Sequence, residues 1–189
     1  MAVVELREDG NFGRDQSIYV QCMSITKRLL ANLFTGAWHA RRVLNRSQRD
    51  AITEAVKRAE TGTAAQIRVV VEPALNISDV WRGQGSKERA LEVFGLERVW
   101  DTRENSGVLL YILLSEREAQ IVADRGFNVR VTPEEWCRVC LTIENAAPKL
   151  GLAAALEDAV NQIGLLAREH LQADTQGDNE LGDDVRVLK

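Results

Sequence analysis

Residues 108–114 read VLLYILL, an apolar run with no polar interruption. A strand with one face in water alternates apolar and polar residues, whereas one that is apolar throughout is covered on both faces. The run is far shorter than the roughly 20 apolar residues that span a bilayer, so it belongs at the centre of a layered domain. A polar turn, SERE, follows it, and AQIVAD returns with strand chemistry, which predicts an antiparallel hairpin. Helices must then cover the sheet from both sides.

The neighbouring segments supply those helices. Ser47, three residues before Asp50, has the spacing of a capping box, and Ile52, Ala55, Val56 and Ala59 repeat on one helical face to near Glu60. Thr61 and Gly62 break this helix, and the β-branched stretch from Ile67 to Val71 is the first strand. After Pro73 comes a variable region, then a helix with Ser86 as N-cap and Ala90, Leu91 and Phe94 inward. Strand, helix and strand make a crossover unit, so the first two strands run parallel with a right-handed connection. Thr132, Pro133 and Glu135 start a further helix that buries Trp136, Val139, Cys140 and Ile143. A longer last helix buries Leu152, Leu156, Ala159, Val160, Ile163 and Ala167. The expected fold is a three-layer α/β/α sandwich with a small mixed central sheet that includes a hairpin. The domain occupies residues 46–172. Residues 1–22 carry no assigned structure, with Met23 a candidate start, and residues 173–189 form a mobile polar tail.

Charge narrows the function classes. A net charge of -4 without a uniform basic face argues against nucleic-acid binding. Cys22, Cys137 and Cys140 fit no disulfide framework, and the first twenty residues lack the pattern of a secretory signal, which points to the cytoplasm. One region opposes the overall charge. From Gln16 to Arg49 there is no acidic residue, while Lys27, Arg28, Arg41, Arg42, Arg46 and Arg49 flank an apolar stripe of Leu29, Leu30, Leu33, Phe34, Ala37 and Trp38. Residues 23–45 therefore read as a basic amphipathic helical segment. It docks on the domain, lies through residues 27–42 on an anionic membrane surface as a protein peripheral to the inner membrane, or binds a protein partner.

The strand directions put the start of the first strand, the start of the second and the end of the third at one sheet edge. Glu60, Asp101 and Asp124 all fall there, with Asn105 and Ser106 close by. Loop carboxylates, an amide and backbone carbonyls are the ligands that calcium or magnesium take. The spacing is not that of an EF-hand, since Arg103 stands at the third position and the glycine, Gly107, comes one place late. The competing reading gives each acid local work: Asp101 caps a turn, Asp124 accepts loop amides and Glu60 is solvated at a helix end.

Other motifs carry less. Cys137 and Cys140 form a C-x-x-C inside a helix without further ligands, which suits structural cysteines. His39 and His170 are the only histidines, too few for a His-rich centre. RGQGSKE has two glycines before a helix but matches no phosphate-loop pattern. Trp136 is assigned to the core, Trp100 to packing beside the Asp101 loop, and Trp81 to the surface.

RAETGTAAQIRVVVE, ERALEVFGLERVWDTRENSGVLLYILL, REAQIVADRGF, TPEEW and ALEDAVNQIGLLAREHL, in this order, resemble the TPM domain family from about Ser47 to Leu171. LLANLFTGAWHARRVLN also resembles a proteobacterial subgroup without signal peptide or anchor. The resemblance implies divalent-cation binding in the edge loops, calcium ahead of magnesium, carried by Glu60, Asp101, Asn105 and Asp124. It also implies acid phosphatase activity in some plant members. Many relatives have Glu where this chain has Gln66, so one carboxylate is missing. The function expected is a non-catalytic accessory or interaction protein that binds a cation weakly. The alternatives are a metal-assisted phosphatase with Asp101 or Asp124 as nucleophile or base, and a membrane-surface adaptor.

Overall fold

The structure, a computed structural model, describes residues 2–4, 25–34, 44–127, 130–171 and 179–188. Its strands are β1 (Ala2–Val4), β2 (Gln66–Glu72), β3 (Gly107–Leu113), β4 (Glu118–Ala123) and β5 (Arg186–Val187). Its α-helices are α1 (Ile25–Phe34), α2 (Arg46–Glu60), α3 (Ile77–Trp81), α4 (Ser86–Leu96), α5 (Pro133–Leu150) and α6 (Leu152–His170). They form one mixed sheet of order β1-β4-β3-β2-β5 with helices on both faces. β2 and β3 run parallel from Gln66↔Gly107 to Glu72↔Leu113, and β3 pairs antiparallel with β4 from Val108↔Ala123 to Leu113↔Glu118. Every residue of β2 and β3 is buried, as an uninterrupted apolar run requires.

The two faces differ in chemistry. One carries Ile67, Val69, Val71, Val108, Leu110, Ile112, Ala119 and Ile121 against α2, α5 and α6, and it forms the larger core. There α2 and α6 approach closely at Gly164, where an added Cβ would lie 2.7 Å from the Cβ of Ala59. The other face mixes Val70, Leu109, Tyr111, Leu113 and Val122 with Arg68, Glu72 and Gln120 beneath α3 and α4. Glu72 gathers partners on this face: Arg89 reaches both of its oxygens at 2.9 and 3.0 Å, and the Tyr111 hydroxyl donates to it at 2.6 Å. Burial and the neighbouring carboxylate push the Tyr111 hydroxyl's pKa up, and the same carboxylate raises that of Arg89.

The expected helix faces are in place, with Trp136, Val139, Cys140 and Ile143 buried on α5 and Ala159, Val160, Ile163 and Ala167 on α6. Thr132 and Glu135 form the expected capping box with Pro133 in the first turn. Elsewhere the details shift. The box that opens α2 is Asn45 with Gln48, each side chain taking the other's backbone N–H at 2.9 Å, because Asn45 stands two residues before Ser47 with the same spacing. Gly85 is the N-cap of α4, and Ser86 instead turns inward to Glu118 and Gln120. The variable region contains α3, a five-residue helix too short to leave a periodic pattern.

Both ends of the chain also depart from expectation. Ala2–Val4 pair antiparallel with β4, although no structure is assigned there from sequence. Within the tail expected to be mobile, residues 179–188 lie against the sheet, where Arg186 and Val187 pair parallel with β2 and Leu181 and Val185 are buried. In α1 the docked side combines one member of the apolar stripe, Leu29, which packs against the smaller core, with polar groups. Arg28 and Asn32 hold it through Glu116, and Asn32 accepts the Leu75 N–H at 2.6 Å, whereas Leu30 and Leu33 face outward. Ala37 and Trp38 lie outside the described residues. Among the described residues no helix is long and apolar enough to cross a membrane.

Candidate functional site

The edge at which β2 and β3 begin and β4 ends is built by turn chemistry. Arg98 and Asn105 hold positive φ angles of 54° and 52°, and Asn tolerates the left-handed region because its short amide bonds locally. Inside the loop of residues 101–106, the Thr102 hydroxyl accepts the Ser106 N–H at 2.9 Å, and the Ser106 hydroxyl donates to the Ala64 carbonyl. Gln66 N–H donates to the Ser106 carbonyl at 3.2 Å, which ties this loop to the start of β2. On the other side Gly126 N–H donates to the Asn105 carbonyl at 2.9 Å. A Cβ at Gly126 would sit 2.6 Å from that oxygen, so only glycine allows the loops after β4 and before β3 to touch.

The four predicted site residues occupy this edge in different states. Glu60 is half-buried at the end of α2, and its carboxylate accepts the Ile67 N–H at 2.6 Å. Burial, reinforced by the negative charge of Asp183 and opposed by that hydrogen bond, pushes its pKa from 4.5 to about 8. It is therefore not the solvated helix-end residue of the competing reading. Asp124 is buried at 9% exposure and accepts the Arg125 N–H at 2.7 Å. Asp101 is exposed and pairs with Arg98. Asn105 contributes its backbone carbonyl to the Gly126 contact. Among the described residues no three His, Cys, Asp or Glu side chains gather closely enough to hold a metal ion by themselves. A cation here would have to recruit backbone carbonyls, the Asn105 amide and water, the oxygen ligands that hard divalent cations take.

Two acids at this edge escape a reading of the local motifs. Glu180 accepts the Arg103 N–H at 2.7 Å, inside the loop that carries Asp101 and Asn105, and the charge of Asp183 is felt at Glu60. The sequence signal for them is the pair of apolar residues Leu181 and Val185 within the acidic tail. Gln66 anchors that tail, and its side-chain oxygen accepts the N–H groups of Glu180 and Leu181 at 2.9 and 3.1 Å. The remaining motifs have local roles. In RGQGSKE the Gly85 amide is taken by the Glu88 carboxylate at 3.0 Å, so it is not held open for a phosphate. Cys140 is buried on α5 with Cys137 half-buried beside it, and Trp81 and Trp100 are exposed.

Comparison with known proteins agrees with this architecture. The sequence profile of the TPM domain matches residues 39–165. Among solved structures the chain is similar to the BA42 protein from the psychrophilic bacterium Bizionia argentinensis, determined by NMR. The two share 22% identity with a TM-score of 0.68, over 76% of this chain and 94% of that one, a likeness of fold. No curated protein matches the chain.

Proposed function

The chain belongs to the TPM domain family, and on that premise we propose that it is a cytoplasmic accessory protein whose edge loops bind a divalent cation weakly. The observation that carries this reading is the placement at one sheet edge of Glu60, held by the Ile67 N–H, with Asp124 and the Asn105 turn, whose loops are joined by the Gly126–Asn105 bond. Calcium is the expected ion, with Asp101 swinging from Arg98 to complete the oxygen set. Weak affinity follows because that ion pair must break and because Glu60, protonated near neutral pH, must release its proton. Below about pH 8 the affinity should therefore rise up to about tenfold per pH unit.

Isothermal titration of calcium into EDTA-treated protein tests the reading. Saturable binding that weakens in Glu60→Gln and Asp101→Asn supports it, and no heat at millimolar calcium removes it. Turnover of a phosphomonoester that is lost in Asp101→Asn at unchanged stability would move the assignment to a metal-assisted phosphatase. A second role concerns partners. The outward Leu30 and Leu33 of α1, within the acid-free basic run, favour contact with a protein or an anionic membrane surface. Flotation on anionic vesicles by the full chain, lost in a chain beginning at Asn45, would assign it to the membrane.

A further inference from the structure

The last described residues of the chain are held by polar groups of β2 and of the end of α4. At the start of β2, Gln66 takes two consecutive N–H groups, those of Glu180 and Leu181. Two residues further along the strand, Arg68 donates to the Gly182 carbonyl and lies 3.3 Å from the Asp184 carboxylate, while its other nitrogens are fixed by Glu97. Arg186 then meets Glu97 at 3.3 Å, and Leu188 N–H donates to the Val71 carbonyl at 3.0 Å. Leu181 and Val185 are 9% and 7% exposed. The segment thus adds a strand to the outer edge of β2, the mode by which an extended peptide docks on a sheet.

Three features make this docking local. The ladder itself is two residues long, Val70↔Arg186 and Val71↔Val187, so the segment depends on side-chain bonds and on three apolar residues, Leu181, Val185 and Leu188, that pack against the two cores. The chain leaves α6 and returns at nearly the same place: the Leu171 carbonyl accepts the Ala64 N–H at 3.0 Å, and Glu180 re-enters opposite Gln66. Release and return are therefore a short closure, with a small cost in chain entropy. Finally, at its near end the segment grips another element, because Glu180 accepts the Arg103 N–H at 2.7 Å.

We propose that residues 179–188 form a latch that undocks from the outer edge of β2 as a unit, and that the Arg103 amide, in the loop of residues 101–106, is released with it. Undocking removes the Glu180 bond from Arg103, between Asp101 and Asn105, and leaves the edge of β2 open to another extended segment. The latch concerns the same loop as the proposed cation site, yet it stands on contacts within the chain and needs no cation.

Native-state amide exchange of the full chain in EDTA, followed across low denaturant concentrations, tests it without a substitution. The amides of Arg103, Leu181 and Leu188 should open together, with a smaller denaturant dependence than the β3 amides. Glu180→Ala should then accelerate Arg103 about tenfold or more and, because it removes one of the bonds that hold the segment, speed Leu181 and Leu188 to a smaller degree while β3 keeps its rate. Gln66→Ala should accelerate Leu181, Leu188 and Arg103 together. Opening of the three amides only with β3 would make the segment a fixed strand and overturn the latch. Opening of Arg103 independently of Leu181 and Leu188, or an unchanged Arg103 rate in Glu180→Ala, would overturn the coupling. Failure of calcium binding in the separate titration would leave these rates untouched, so the two readings fail distinguishably.

Discussion

Glu60 offers the sharpest test of the electrostatics at the sheet edge. Its carboxyl titrates at about 8 in the folded chain against an ordinary 4.5. Between these values the folded protein holds a proton that the unfolded chain has lost, so stability falls as pH rises through this window and levels off above about 8. At 1.36 kcal/mol per pH unit the whole interval is worth about 5 kcal/mol, an upper figure for a carboxyl that water partly reaches, and about 2–3 kcal/mol is the working expectation. Glu60→Gln keeps an oxygen for the Ile67 N–H but cannot ionise. It should match the wild type near pH 4.5 and exceed it by that amount at about pH 9. Urea denaturation across this range, followed by tryptophan fluorescence, reads the difference directly. Parallel pH profiles for the two proteins would assign the slope to other groups and remove Glu60 as its cause.

Packing and docking give further expectations. Gly164→Ala drives a methyl into Ala59 and should cost about 1–3 kcal/mol in the same assay. Trp136 is 1% exposed with its ring edge on Phe127, so Trp136→Ala should lose about 3–5 kcal/mol. Trp136→Phe should lose less than about 1.5 kcal/mol, because the indole N–H it deletes has no partner among the described residues. Asn32→Ala leaves the buried Leu75 N–H unpaired and should weaken the docking of α1 by about 1–3 kcal/mol, seen as faster tryptic cleavage at Arg28.

What could be read from sequence was what had one strong local cause. Residues 108–114 have no polar member, and only a strand covered on both faces accommodates them. Thr132, Pro133 and Glu135 leave no competing register for the start of α5. At α2 two boxes of equal spacing overlap, and the earlier one, Asn45 with Gln48, is used. The topology brought Glu60 and Asp124 to one edge, but the hydrogen bond from Ile67 that draws Glu60 inward depends on how α2 meets β2. β5 was hidden because its anchors, Gln66 and Arg68, lie more than a hundred residues away in sequence and read there as ordinary polar members of a strand. The α1 stripe was used only in part: Leu29 packs on the smaller core, Leu30 and Leu33 are exposed, and Asn32 and Arg28, bonded to Glu116, complete the docked side.

Whether the sheet edge takes a cation decides the proposed function. Calcium and magnesium titrations of EDTA-treated protein, followed by backbone amide NMR in the wild type and in Asp101→Asn/Asp124→Asn, address this residue by residue. Cation binding by the edge loops requires saturable shifts at residues 101–106, 124–127 and Ile67, larger with calcium and absent in the double variant. Unmoved amides at millimolar calcium, or shifts that survive both substitutions, would leave the edge acids as purely structural groups.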